Sequence, residues 1–172
     1  MRLLRLLLPF LALSAASATP SLQTVDHVDL PRYMGRWYVI AHIPNFLEKN
    51  KVGSTDNYAQ LSDGKLDNTF TFRKGTLDAP EKSWHGTARV IDHNSNAVWK
   101  VRLFWPFSSG YRILELDPDY QWAVVSTDTG KLFWVLSRSP ALPPELYARI
   151  VNRLLLRGLD TARLEKVPQS AP

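Results

Sequence analysis

Cysteine is absent from the sequence. That removes disulfides, thiolate metal sites, thiol nucleophiles and a cysteine-linked lipid anchor from consideration. No run of eighteen apolar residues occurs, so no segment reads as a spanning helix. Like charges never accumulate in a block. With 21 Lys+Arg against 16 Asp+Glu in 172 residues, the formal charge is only +5, too weak and too dispersed to argue for nucleic acid. Glycine is sparse at eight, against twelve prolines, whereas tryptophan is high at six. What remains is 45% apolar and 22% charged residues, the balance of one soluble globular domain rather than a disordered chain.

The first eighteen residues read as an address. Met1 to Arg5 is a short basic start, Leu6 to Leu13 an apolar core, and Ser14 to Ala18 a run of small residues ending in Ala16-Ser17-Ala18. This is the layout of a secretory signal, and it fits better than a buried N-terminal helix because the apolar core is short and unpatterned. Leu13-Ser14-Ala15 resembles the start of a bacterial lipoprotein box, but Ala16 stands where the lipidated Cys is needed. Cleavage after Ala18 takes 18 of the 172 residues and leaves 154; with Arg2 and Arg5 gone the charge falls from +5 to +3. The expected organisation is a signal over 1–18, a lead-in over 19–34, and one domain over 35–172.

From Gly35 to Ser139 short alternating segments are separated by turns. Candidate strands are Trp37–Ile43, Thr55–Leu61, Leu66–Lys74, Ser83–Ile91, Ala97–Trp105, Gly110–Leu116, Gln121–Thr127 and Lys131–Ser137. The breaks, such as Ser62-Asp-Gly-Lys65 and Asp117-Pro-Asp119, are built from residues that turn the backbone. Eight strands with no helix between them predict an antiparallel meander, all-β in class. Eight strands can also close into a barrel that holds one small ligand. Periodicity alone leaves that barrel and a solid two-sheet sandwich both open. Alternation puts Leu66, Asn68, Phe70 and Phe72 on one face, Trp99, Val101 and Leu103 on another, and Trp37, Val39, Ala41 and Ile43 on a third. A single helix over about 143–157 follows. Pro143-Pro144 starts it, Leu146, Ile150, Val151, Leu154 and Leu155 form its apolar stripe, and Gly158 stops it. Docking on the outer barrel wall is favoured for it over lying in a membrane surface.

Three segments carry a resemblance. Tyr33-Met-Gly35-Arg-Trp37-Tyr38 resembles the glycine-x-tryptophan signature that opens the first strand of lipocalins. Leu116-Asp-Pro-Asp-Tyr120 with Trp122-Ala-Val-Val125 is similar to the second lipocalin region, and Phe133-Trp-Val-Leu-Ser-Arg138-Ser-Pro140 to the third. Asn45 to Gly53 resembles the large first loop at the barrel mouth. Phe104-Trp-Pro-Phe107 with Gly110-Tyr111 is similar to the bacterial outer-membrane subgroup. The resemblance spans about Val28 to Gln169. It implies an eight-stranded up-and-down β-barrel with the C-terminal helix packed outside. It also implies Gly35, Trp37 and Arg138 as a structural signature, with Arg138 covering Trp37. A guanidinium over an indole gains about 1–2 kcal/mol when partly desolvated. If Arg138 lies outside the lumen, Trp134 and Leu136 share its side, under the helix, and Phe133 and Val135 point inward.

The chemistry legible in the sequence is mostly negative. His27, His42, His85 and His93 form no ligand pair, and His42 shares parity with outward residues, so no metal site is expected. No nucleophile elbow, phosphate loop or dinucleotide fingerprint is present. The chain reads as a non-enzyme with no cofactor. The candidate ligand-binding residues are Val39, Ala41, Tyr58, Phe70, Phe72, Trp99, Val101, Leu103, Tyr111, Phe133 and Val135, an apolar wall for a small hydrophobic ligand. The bacterial subgroup implies a fatty acid or lysophospholipid, in the periplasm or in contact with the outer membrane. Lys49, Lys51 and Arg112 are candidates to meet an anionic head, although solvated surface charge is the simpler role for each. The alternatives are an enzyme on a lipocalin-like barrel, which requires a buried titratable group in the lumen with Glu115 the acidic candidate, and a partner-binding envelope stress protein with a solid barrel.

Overall fold

The computed structural model describes residues 21–104 and 107–170, and the side chains of 103–107 lie outside the described set. The expected signal segment over 1–18, with its expected cleavage site, also falls outside it. A one-turn helix α1 (Leu30–Tyr33) leads into eight long strands: β1 (Gly35–His42), β2 (Lys51–Gln60), β3 (Leu66–Lys74), β4 (Lys82–Val90), β5 (Val98–Phe104), β6 (Phe107–Leu116), β7 (Trp122–Ser126) and β8 (Phe133–Ser137). Helix α2 (Pro144–Leu156), a 3-10 turn and the two-residue strand β9 (Glu165–Lys166) complete the chain. Each long strand pairs antiparallel with the next, and β1 pairs with both β8 and β2. The sheet therefore closes into an eight-stranded barrel with β9 as an extra strand. The eight expected strands and the helix are all present, with ends shifted by a few residues at most sites. β2 begins four residues earlier than the sequence pattern indicates, because Gly53 at φ +58 lets the strand pass through an irregularity between Val52 and Thr55.

Two apolar layers result. β3 alternates cleanly, with Leu66, Asn68, Phe70 and Phe72 buried inside. Inside also lie Trp37, Val39, Tyr58, Ala88, Trp99, Val101, Tyr111, Val125 and Leu136. The second layer lies between the outer wall and α2, where Ile150 and Leu154 pack with Ile40, Ala41, Leu114, Val124, Phe133 and Val135. Leu155, expected in the apolar stripe, is 58% exposed instead.

This second layer corrects several expectations. Phe133 and Val135 face α2 rather than the lumen, while Trp134 and Leu136 belong to the inner layer. The cause is Arg138. It lies on the inward parity of β8 and caps one end of the barrel, whereas the expectation rested on its being outside. Ala41 also faces outward. A bulge in β1 between Val39 and Ala41 inserts one residue against β8, so Ile40 and Ala41 both lie in the outer layer and His42 turns to the inner side. A second bulge, in β6 between Ile113 and Glu115, has the same effect. Glu115 thus lies on the outer wall, where it pairs with Arg153 at 3.3 Å and Arg157 at 3.7 Å.

One end of the barrel is solid. The Arg138 guanidinium stands 3.7 Å from the centre of a Trp37 ring and donates to the carbonyls of Arg32, Tyr33, Met34 and Arg36 at 2.7–3.1 Å. These include carbonyls left unpaired at the end of α1. Gly35, at φ +88, turns the chain from α1 into β1, and a Cβ there would lie 3.5 Å from that guanidinium. Above Trp37 an aromatic plug fills the barrel. Trp99 stacks on Tyr111 at 4.9 Å, Tyr33 and Tyr58 meet Trp99 edge-on, and the Tyr33 and Tyr111 hydroxyls hydrogen-bond at 2.8 Å.

β1 and β2 pair only between Gly35–Tyr38 and Thr55–Tyr58. Beyond that they splay, and the C-terminal tail fills the gap. β9 pairs with Ala41 and His42, Val167 N–H donates to Ile40, and Gly53 N–H donates to Pro168. The Gln169 amide then bridges Val39 and Ser54, one carbonyl on each strand, at 2.7 and 3.0 Å.

Candidate functional site

The plug stops at Tyr58 and Tyr111. Above it, towards the end where β1 finishes and β2 begins, the barrel encloses a cavity of about 190 Å3. Phe70, Trp84, Val101, Val125 and Trp134 supply its apolar wall, and Tyr58 and Tyr111 its floor. Asp56, Asn68 and Ser108 to Gly110 add polar atoms, and Leu47 and Glu48 reach over it from the loop between β1 and β2. This exceeds the roughly 150 Å3 of an apolar cavity that holds benzene, and falls short of the roughly 300–1,000 Å3 typical of ligand pockets. A ring or a short chain fits the cavity as it stands; a longer ligand requires the loop at Leu47 and Glu48 to move.

The loop is held by side chains. Asn45 accepts from the backbone N–H groups of Leu47 and Glu48, which makes a tight turn. The Glu48 carboxylate then accepts from Trp134 Nε1 at 3.0 Å and lies 2.7 Å from His42 Nδ1. Lys51 reaches back to the Leu47 carbonyl, with its ammonium 4.5 Å from the ring centres of both Phe72 and Trp84. Burial lowers the Lys51 pKa, and the Glu48 charge opposes that shift.

Asp56 is the chemically distinctive group. It shares the inward parity of Tyr58 on β2 and projects into the cavity wall. Burial raises its pKa to about 7, and the Glu48 charge adds to the effect, while a hydrogen bond from the Asn68 side chain opposes it. Asn68 is 4% exposed, and its Oδ1 has no hydrogen-bond partner among the described residues. Burial also raises the Tyr58 and Tyr111 phenols well above their ordinary range, so both are neutral donors at physiological pH.

Among the residues singled out from sequence, Tyr58, Phe70, Val101 and Tyr111 line this cavity. Val39 and Trp99 are buried deeper in the same inner layer, and Phe72 packs beside Trp84 under Lys51. Ala41, Phe133 and Val135 are on the far side of the wall. The Leu103 side chain lies outside the described set. Arg112 pairs outside with Asp128 at 3.0 Å, and Lys49 is exposed. Sequence reasoning missed Asp56, Glu48, Trp84 and Trp134. The signal for Asp56 was available, two residues before Tyr58 on one strand. Glu48 had none, because a loop side chain carries no periodicity.

A family model described as a lipocalin-like domain matches residues 28–169. The chain belongs to the lipocalin family. It is 32% identical to temperature-induced lipocalin-1 of Arabidopsis thaliana over 162 residues, covering 87% of this chain and 83% of that protein. It is 30% identical to the outer membrane lipoprotein Blc of Escherichia coli K12 over 165 residues, covering 93% and 91%. Among solved structures, lobster apocrustacyanin A1 superposes with a TM-score of 0.67 at 17% identity, covering 83% of this lipocalin and 81% of that chain. That last likeness concerns the fold. Lipocalins as a family bind small hydrophobic ligands, and they are carriers rather than enzymes in general.

Proposed function

We propose that this lipocalin is a carrier of the bacterial cell envelope that holds one monoacyl lipid, a fatty acid or a lysophospholipid. The chain enters the barrel and the head stays at the mouth. The observation that carries the reading is the cavity itself, walled by Phe70, Trp84, Val101, Val125 and Trp134 above a solid floor. Burying an acyl chain there is worth about 0.8 kcal/mol per methylene. Relatives named as outer membrane lipoproteins, at about 30% identity over most of the chain, support the envelope as its place. Lys49 and Lys51, both where the loop over the cavity runs into β2, supply positive charge near an anionic head.

Titrating the delipidated protein with C8 to C18 fatty acids and a lysophospholipid, followed by calorimetry and native mass spectrometry, tests this. The expected outcome is a one-to-one complex whose affinity rises with chain length and then levels off. No binding by any of these lipids would overturn the proposal. Asp56 is a half-buried lumen acid of the kind the enzyme alternative requires, so the recovered lipid is also checked by mass. An unchanged mass favours the carrier, and a converted product favours the enzyme.

A further inference from the structure

The polar atoms inside the cavity have one chemical character. Asp56 offers a carboxylate with no cationic side chain beside it in the lining, and Asn68 offers a buried Oδ1 that accepts nothing among the described residues. Glu48 closes the top as a second carboxylate, already engaged by Trp134 and His42. No Lys or Arg lines the cavity, and residues 103–107 carry no charge in the sequence. The Lys51 ammonium is turned onto the Leu47 carbonyl and the Phe72 and Trp84 rings. A buried acceptor without a donor, and a carboxylate without a counter-ion, both cost free energy until something supplies them.

We propose that the cavity contains an ammonium subsite, formed by Asp56 and Asn68, that takes a small lipophilic amine head-first. The protonated nitrogen donates to the Asp56 carboxylate and to Asn68 Oδ1, while Phe70, Trp84 and Trp134 enclose the apolar body. Aromatic faces suit a cation as well as a hydrocarbon, so they serve both ends of such a ligand. An N–H-bearing ammonium is required, since a quaternary one leaves Asn68 Oδ1 unpaired. A carboxylate or phosphate next to the nitrogen is disfavoured, because it would face Asp56 and Glu48 at close range. The cavity of about 190 Å3 sets the body at the size of an aromatic ring with a short chain. The inference rests on the carrier reading only in taking the barrel cavity as the ligand site; it does not need a monoacyl lipid there.

Three probes of one shape test it on the full-length protein: 2-phenylethylamine, 2-phenylethanol and 3-phenylpropionate, compared by calorimetry at pH 7.5. The amine is expected to bind at least tenfold more tightly than the alcohol, and the acid more weakly than both. Asp56→Asn is expected to cost the amine tenfold or more and to change the alcohol by less than twofold. Asn68→Leu, which removes the acceptor by another route, should also weaken the amine selectively. Asp67→Asn, on the outward face of β3, serves as the control for a general charge effect. Equal affinity for amine and alcohol, tighter binding of the acid, or an amine affinity indifferent to Asp56→Asn would overturn the subsite. A parallel titration with palmitate separates the two readings. Palmitate binding with no preference for the amine sinks the subsite alone, and amine binding without palmitate sinks the monoacyl carrier alone.

Discussion

At the scale of single residues, two groups are used in opposite ways. Arg138 is partly buried, yet every carbonyl it touches accepts from it, so its charge is spread over a fixed fork of donors and an indole face. Asp56 has no cation beside it in the cavity wall, and the Asn68 side chain is the donor that opposes its shift. The unfolded chain releases the Asp56 proton near its ordinary value of 3.8, and the folded chain holds it to about 7. Between those values the folded state binds the extra proton, so this group's contribution to stability falls as pH rises, and the loss is complete above about 7. Asp56→Asn keeps the shape and removes the titration. Its melting temperature is expected to match the wild type near pH 4 and to exceed it at pH 8. A gap of at least about 2–4 °C is expected there, the shift that roughly 1 kcal/mol produces in a domain of this size. Thermal unfolding followed by circular dichroism across pH 4 to 8 checks this. A difference that is constant with pH would show that Asp56 is solvated in the folded protein.

At the scale of elements, the tail is what completes the barrel. The splayed ends of β1 and β2 leave backbone groups that residues 165–169 satisfy, and Val167 joins the inner apolar layer. Four hydrogen bonds at about 0.5–1.5 kcal/mol net each put the contribution of this segment at about 2–6 kcal/mol. A chain ending at Leu164 is expected to lose that much in urea unfolding, and Gln169→Ala part of it. An unchanged unfolding midpoint in the truncated chain would mean that β1 and β2 re-pair directly without the tail. None of this was legible in the sequence, since a two-residue strand in a polar tail carries no periodic signal. β3 shows the opposite case: its strict alternation from Leu66 to Phe72 made both its ends and its inner face readable. Parity fails where a strand gains a residue. The bulges at Val39/Ala41 and Ile113/Glu115 turn Ala41 and Glu115 outward and His42 inward, and no residue type marks either bulge. On β8 the alternation was correct and its phase was wrong, because Arg138 caps the lumen from below instead of lying outside it.

At the scale of the whole molecule, the barrel is a filled lower half beneath a small chamber, and four of the described tryptophans are divided between them. Trp37 and Trp99 are fully buried in the aromatic plug, and Trp122 packs in the layer beneath α2. Trp84 and Trp134 line the chamber, and Trp134 also holds Glu48 of the covering loop. A ligand that enters therefore replaces water or void beside two indoles and leaves the plug as it was. Parity alone would make Trp99 and Trp37 the reporters, since both face inward; the plug removes them from contact. The ligand-induced change in intrinsic fluorescence is expected to shrink by about a third or more in Trp84→Phe and again in Trp134→Phe. Trp99→Phe should leave that change intact while lowering stability, because it removes a stacked partner of Tyr111. Lipid or amine titrations of the three variants, each alongside its urea midpoint, give both readouts. A signal that vanishes in Trp99→Phe and survives in the other two would place the ligand below Tyr58, and the lower half of the barrel would then have to open to admit it.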